Sequence, residues 1–287
     1  HEGLTTLFHG LQQPIPSAAL SALGQGIIKT DDNHYWCIAS AAACLVTHQT
    51  AYIIGNTQLD LRNDEKESLM APLNELLHQD GLNLIPSEGP QWICQIQKHT
   101  DIMMPDLNEV INKNLHPLLP QGPEQGFWHR LLTEVQMLLQ SNKVNNQRAQ
   151  ENKPLVSTIW FWGIGKLPQK VSTVFDEIYS NDKEMAGLAI LSDMECKRWS
   201  KLDDISLKSK YILITDNFLY KHAHHLQDDT WQKALFQLEE NLFSPLLRAC
   251  QNDDVSSVTF IFADGRCFDV TNKKLKYFWR KIQPLSV

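Results

Sequence analysis

An α/β fold with a mostly parallel sheet core and a smaller α+β module is what this sequence predicts. Short apolar runs recur at residues 157–162, 188–191, 211–215 and 258–263, with helix-like segments between them. Buried parallel strands read as continuous apolar runs, and alternation with helices implies crossover units. At 287 residues the chain also exceeds one average domain, which fits two modules or one large α/β unit. The expected division puts an N-terminal segment and the small α+β module in residues 1–123 and the α/β core in residues 124–287.

The elements follow in order. Pro14, Pro16, Gly24 and Gly26 surround a short helical pattern at residues 18–23. Residues 51–54 form a strand-like run ended by Gly55 and Asn56. Residues 65–78 set Leu69, Leu73, Leu76 and Leu77 on one helical face. The apolar runs at 82–85 and 92–96, separated by Pro86, Gly89 and Pro90, read as a hairpin with a longer loop. Asp106 is placed to cap a helix reaching Leu115. Phe127, Trp128, Leu131, Leu132, Val135 and Leu138 make a broad stripe, so residues 124–139 are the strongest helix. The Asn- and Gln-rich residues 141–153 read by composition as a linker. Residues 228–250 read as a long helix that Pro245 kinks or breaks.

Composition narrows the class without naming a function. A formal net charge of −7 argues against a dedicated nucleic-acid binder, which needs a basic excess or patch. Six cysteines with no CxxC pair are too sparse for a disulfide framework, so a reduced cytoplasmic protein is expected. The charge-free run at residues 37–46 is too short to cross a bilayer, which takes about 20 apolar residues. The chain opens on His1, which leaves a cleaved leader open.

Three loops carry residues with chemical potential. Gly163, Gly165 and Lys166 follow a predicted strand, where glycine lets backbone N–H groups approach a phosphate and lysine adds charge. The spacing matches neither dedicated nucleotide motif, and the alternative is a turn in which glycine supplies positive φ. His222, His224 and His225 lie near Asp216, Asp228 and Asp229, the donor types of zinc or manganese sites. With no HExxH spacing, a solvated loop is the competing reading. Asp264-Gly265-Arg266 sits between two apolar runs and reads first as a hairpin turn. It reads second as an aspartate at a strand's carboxyl end, where α/β sites collect. In one parallel sheet the three loops converge, and Lys166 and Arg266 lend that edge positive charge for an anion.

Residues 142–165 carry a family resemblance. Asn145, Arg148, Asn152-Lys153-Pro154 and the strand into Gly163-Ile164-Gly165 resemble a segment of archaeal-type cofactor-independent phosphoglycerate mutases. There a helix ends in an Asn- and Arg-bearing segment that leads into a strand closing in Gly-x-Gly. The similarity is closer to a bacterial phosphoglycerate-mutase-like group described as regulatory. It spans residue 124 to the C-terminus, and more loosely residues 35–119 as an inserted α+β module. It implies an alkaline-phosphatase-like core, with Asn145 and Arg148 as the motif's Asn and Arg.

The same resemblance places the metal positions. Asp264 matches the aspartate of the family's late Asp-His pair, but Gly265 stands where the histidine belongs. His224 or His225 stands for the histidine of an Asp-x-x-x-His stretch whose aspartate would be Tyr220 or Lys221. Residues 7–10 lead to no acidic ligand, and the catalytic residues are unknown because no nucleophile can be placed. The expected function is therefore a catalytically degenerate, regulatory protein that binds a protein partner or phosphorylated metabolite and needs no cofactor. The alternative is a metal-dependent phosphotransferase or phosphatase using manganese or zinc in a reorganised site. A purely structural interaction module is a third class.

Overall fold

In the computed structural model, which describes residues 2–46, 51–54, 59–217, 219, 230–262 and 266–276, the chain divides into two units. Residues 12–169 form a continuous unit, and residues 1–11 join residues 170–287 in a composite one. The elements begin with α1 (Glu2–Leu7), β1 (Phe8–His9), α2 (Ser17–Gly24), β2 (Tyr35–Val46), β3 (Ala51–Ile54) and α3 (Asn63–His78). Next come β4 (Leu82–Pro86), β5 (Gln91–Ile96), α4 (Leu107–Val110), α5 (Gln125–Gln140), α6 (Lys143–Gln150) and β6 (Thr158–Gly165). The chain continues with β7 (Ser172–Thr173), β8 (Glu177–Ser180), α7 (Lys183–Leu191), β9 (Cys196–Lys197) and β10 (Ile212–Thr215). It ends with α8 (Thr230–Leu238), α9 (Ser244–Gln251), β11 (Ser257–Ile261), β12 (Cys267–Thr271) and α10 (Asn272–Leu275).

β2 is the axis of the continuous unit's five-stranded antiparallel sheet. β6 pairs along one edge from Trp36↔Gly165 to Ala42↔Thr158, and β5 along the other from Tyr35↔Ile96 to Ser40↔Gln91. β4 pairs beyond β5, and β3 pairs β2 from Ala43↔Ile54 to Val46↔Ala51. Residues 36–43 are all buried, so both faces of β2 are covered. α2 lies against β2 and β6, α3 against β4, and α5 against β6. The predicted stripe of α3 is the buried one, with Leu69, Leu73 and Leu77 in the core beside Trp128, Leu131 and Val135 of α5.

In the composite unit, β8 pairs in parallel with β10 from Glu177↔Ile212 to Ser180↔Thr215, and in parallel with β9. α7 is the crossover between β8 and β9. Tyr179, Trp199, Leu238, Leu242 and Leu246 form that unit's core. β1 pairs antiparallel with β7, which ties residues 1–11 to this unit. β11 and β12 form an antiparallel hairpin from Ser257↔Thr271 to Ile261↔Cys267, as the Asp-Gly signal predicts. The fold is mixed α/β.

The single parallel sheet is a misreading. Residues 157–162, 211–215 and 258–263 contribute to three different sheets, two of them antiparallel. A strand covered on both faces is apolar throughout whatever its direction, so continuous runs cannot report parallel pairing. Residues 188–191 are helical, in α7, which Asp182 caps by accepting from Glu184 N at 2.8 Å. The expected linker at residues 141–153 contains α6, capped by Asn142 Oδ1, which accepts from Val144 N at 2.9 Å. The helix from Asp106 stops at Val110, because Ile111 is extended and Asn112 takes a left-handed φ of 59°. Pro245 falls in the first turn of α9, after a π-turn over Glu239–Phe243, so the long helix is interrupted there. The expected boundary at 123/124 runs through the continuous unit, where β2 and β6 pair across it.

Two glycines let α2 approach β6. Gly163 is left-handed at φ 64°, where the register with β2 shifts between Trp36 and Ile38. A Cβ on Gly165 would lie 2.6 Å from Pro16 Cβ. Gly165→Ala should therefore destabilise the protein by about 1–3 kcal/mol in urea unfolding, the usual cost of overpacking.

Candidate functional site

The structure gives Asn145 and Arg148 bracing roles. Asn145 is buried, and its Nδ2 donates to Leu139 O and Val156 O, both at 2.7 Å. Its Oδ1 accepts from Val156 N at 2.8 Å, so the amide clamps the end of α5 to the segment leading into β6. Arg148 has no exposed surface. Its Nη1 pairs with Glu65 Oε2 at 2.8 Å, Nε donates to Pro154 O at 2.7 Å, and Nη2 donates to Leu59 O. Glu65 Oε2 also accepts from Arg62 N at 2.9 Å, so one carboxylate both caps α3 and neutralises the guanidinium.

The proposed anion loop is built differently from its prediction. β6 continues through Gly165, and both glycines face residues 16–18 at close range. Lys166 Nζ reaches Asn33 Oδ1 at 3.3 Å and lies 4.6 Å from the centre of the Tyr35 ring. Arg266 is exposed, and its carbonyl accepts from Phe262 N at 2.9 Å in the hairpin. Because β6, β10 and β11 belong to three sheets, the argument that their loops converge does not hold. His222, His224, His225 and Asp264 lie outside the described residues. Among the described residues, no three His, Cys, Asp or Glu side chains gather as metal ligands.

The carboxyl ends of β8 and β10 bring together a polar cluster, at the position where parallel sheets collect ligands. Their register sets Ser180 beside Thr215. Thr215 Oγ1 donates to Ser180 Oγ at 2.6 Å, and Asp182 N donates to the same oxygen at 3.0 Å. Asp182 Oδ1 caps α7 while its Oδ2 accepts from Asn217 Nδ2. A carboxylate there complements the positive end of the helix. Asn181 Nδ2 donates to Trp199 O at 2.7 Å, and Trp199 Nε1 donates to Thr215 O at 3.3 Å, which locks the loops together. Asp216 lies between Thr215 and Asn217 in sequence. Hydroxyls, amides and carboxylates are oxygen-rich recognition chemistry, suited to a hydroxylated ligand or a hard cation.

Sequence reading missed Ser180 and Asp182 because it placed a strand at 188–191 instead of 177–180. The available signal was Ser180-Asn181-Asp182 directly before a helix, a cap sequence. At the amino end of β8, Glu177 accepts from Lys197 Nζ at 2.8 Å, from Ser209 Oγ and from Tyr179 OH at 2.7 Å. Lys197 first, then the two hydroxyls, lower its pKa from 4.5 to about 2.

The chain is 21% identical over 274 residues to the 2,3-bisphosphoglycerate-independent phosphoglycerate mutase of Methanosarcina barkeri, covering 86% of this chain and 66% of that enzyme. The enzyme of Methanosarcina mazei is 23% identical over 167 residues, 56% of this chain and 40% of the enzyme. The chain thus spans less than two thirds of the length of these curated relatives. Among solved structures, the cofactor-independent phosphoglycerate mutase of Thermoplasma acidophilum aligns with a TM-score of 0.41 at 14% identity, covering 76% of this chain and 63% of that one. A Pyrococcus horikoshii protein gives 0.42 at 11% identity, covering 80% and 58%. No protein-family profile matches. By sequence, the chain is a distant homologue of cofactor-independent phosphoglycerate mutases.

Two measurements follow from these contacts. Arg148→Ala strands the Glu65 carboxylate in the core and should cost about 3–5 kcal/mol of unfolding free energy. For Glu177, the folded pKa lies below the unfolded one, so its stabilisation is complete above pH 4.5 and lost as pH falls towards 2. The stability gap between wild type and Glu177→Gln should hold steady from pH 7 to 5 and close as the pH is taken lower.

Proposed function

We propose that this chain is a phosphoglycerate-mutase-like regulatory protein that binds a phosphorylated metabolite or a protein partner without mutase turnover. The observation that carries this reading is the cluster at the ends of β8 and β10. There the buried Ser180 and the half-buried Asp182, Thr215 and Asn217 hydrogen-bond one another and hold a polar cluster in one geometry. Two features of the sequence support it. Gly265 holds the place of the family's metal-binding histidine, and Tyr220 or Lys221 the place of its aspartate. The motif residues Asn145 and Arg148 are spent on internal bonds, so their resemblance bears on folding rather than chemistry.

No cofactor belongs to this reading. The net charge of −7 speaks against nucleic acid as the partner. All six cysteines are free, in keeping with a reducing cytoplasm as the compartment. No described helix is long and apolar enough to cross a membrane. A second reading, a metal-dependent phosphotransferase, is favoured by one feature: Asp182 and Asp216 both follow carboxyl ends of neighbouring parallel strands. Manganese or zinc would then be required.

Protein purified without a nickel column should show no turnover of phosphoglycerate with manganese, and substoichiometric metal by elemental analysis. Phosphoglycerate should bind in calorimetry, and Ser180→Ala with Asn217→Ala should weaken it by about tenfold, the loss of one or two hydrogen bonds. Stoichiometric metal with turnover selects the second reading. If phosphoglycerate does not bind, affinity capture from the native cell should return a protein partner.

A further inference from the structure

A cavity of about 270 Å³ opens between α5 and β6 in the continuous unit. Its floor is Trp160 with Thr158, which stand two residues apart and so on one face of the strand. Both are buried, at 1% and 4% exposure. His129, Leu132 and Gln136 stand three or four residues apart on α5 and form one wall. Ile53, Leu115 and Leu119 add to the apolar lining, and among the described residues no Asp, Glu, Lys or Arg takes part.

The polar groups in this cavity divide into two kinds. Trp160 Nε1 donates to Pro105 O at 2.9 Å, and His129 Nε2 lies 3.0 Å from Pro120 O, so both are engaged. The Thr158 hydroxyl and the Gln136 amide make no hydrogen bond among the described residues. Polar groups this far buried are almost always bonded, so the Thr158 hydroxyl takes its partner from the cavity, either a water or the polar atom of a ligand that displaces it. An apolar cavity of about 150 Å³ takes up benzene. The larger one here admits a substituted ring or a fused pair of rings.

We propose that this cavity is a binding site for a neutral molecule of one or two rings carrying a hydroxyl or carbonyl group. The ring lies among Ile53, Leu115, Leu119 and Leu132, its polar atom meets Thr158, and the Gln136 amide serves the mouth. The apolar lining among the described residues favours a neutral ligand over an ion, so this ligand differs in class from the phosphorylated metabolite proposed above. The site also rests on a separate observation from that proposal.

Phenol, indole, toluene and benzoate, titrated against the full chain by ligand-detected NMR, test it. Phenol and indole should bind, with benzoate at least about tenfold weaker for want of a counter-charge. Thr158→Val, close in shape, should weaken phenol by about tenfold and leave toluene unchanged. Gln136→Trp, at an exposed position, should block every probe while the circular dichroism spectrum stays that of wild type. The proposal is overturned if no probe binds, if benzoate binds as well as phenol, or if Thr158→Val binds phenol like wild type.

Discussion

The Arg148 guanidinium is fully buried and permanently charged, so the fold around it must supply an anion and several carbonyls. It meets Glu65, which opens α3, and the carbonyls of Leu59 and Pro154, which precede α3 and β6. Two stretches distant in sequence, residues 59–65 and 148–154, are thereby fixed to one planar group. Such a pair adds little net stability over apolar packing, yet losing one member leaves a bare charge in the core. The pair ties the placement of α6 to that of α3. Asn145 works in the same way on a smaller scale, with one amide meeting three backbone groups.

That bracing matters because it aims β6 along β2. The axis strand is rich in alanine, with Ala39, Ala41, Ala42 and Ala43 all buried. Small side chains on a strand covered on both faces let the layers come close, and Gly163 and Gly165 extend the same device to β6. Close approach in turn requires exact register, and Trp162 Nε1 bonding to Ser40 Oγ at 3.0 Å helps to hold it. In the continuous unit, the polar contacts choose the arrangement and the apolar ones supply most of the stability.

What was legible in the sequence follows from this division. Amphipathic helices such as α3 and α5 bury one stripe, and their periodicity showed it. The hairpins β4–β5 and β11–β12 were announced by turn residues. Strand direction was not legible, because coverage on both faces erases alternation in parallel and antiparallel strands alike. α6 was hidden because composition ranks Asn and Gln as loop formers, while two long-range contacts decide its conformation. The cluster after β8 was not legible, because a strand of four residues carrying Glu177 and Tyr179 hardly registers as apolar.

The same distinction bears on kinship and function. Asn145 and Arg148, in the segment likened to the mutases' motif, both point into the protein. Groups that serve the fold say little about the chemistry elsewhere. Activity must be judged from groups able to face a ligand; in the cluster after β8 and β10 these would be the half-buried Asp182, Thr215 and Asn217, while Ser180 is buried among them. There Ser180 Oγ already accepts two hydrogen bonds, from Thr215 and from the backbone of Asp182, which leaves its own O–H to donate. Asp182 is held at one oxygen by its helix and at the other by Asn217. With Trp199 securing both loops, the group is preorganised: its bonds are made before a ligand arrives, and little ordering remains to oppose binding. Rigidity of that kind suits selective recognition.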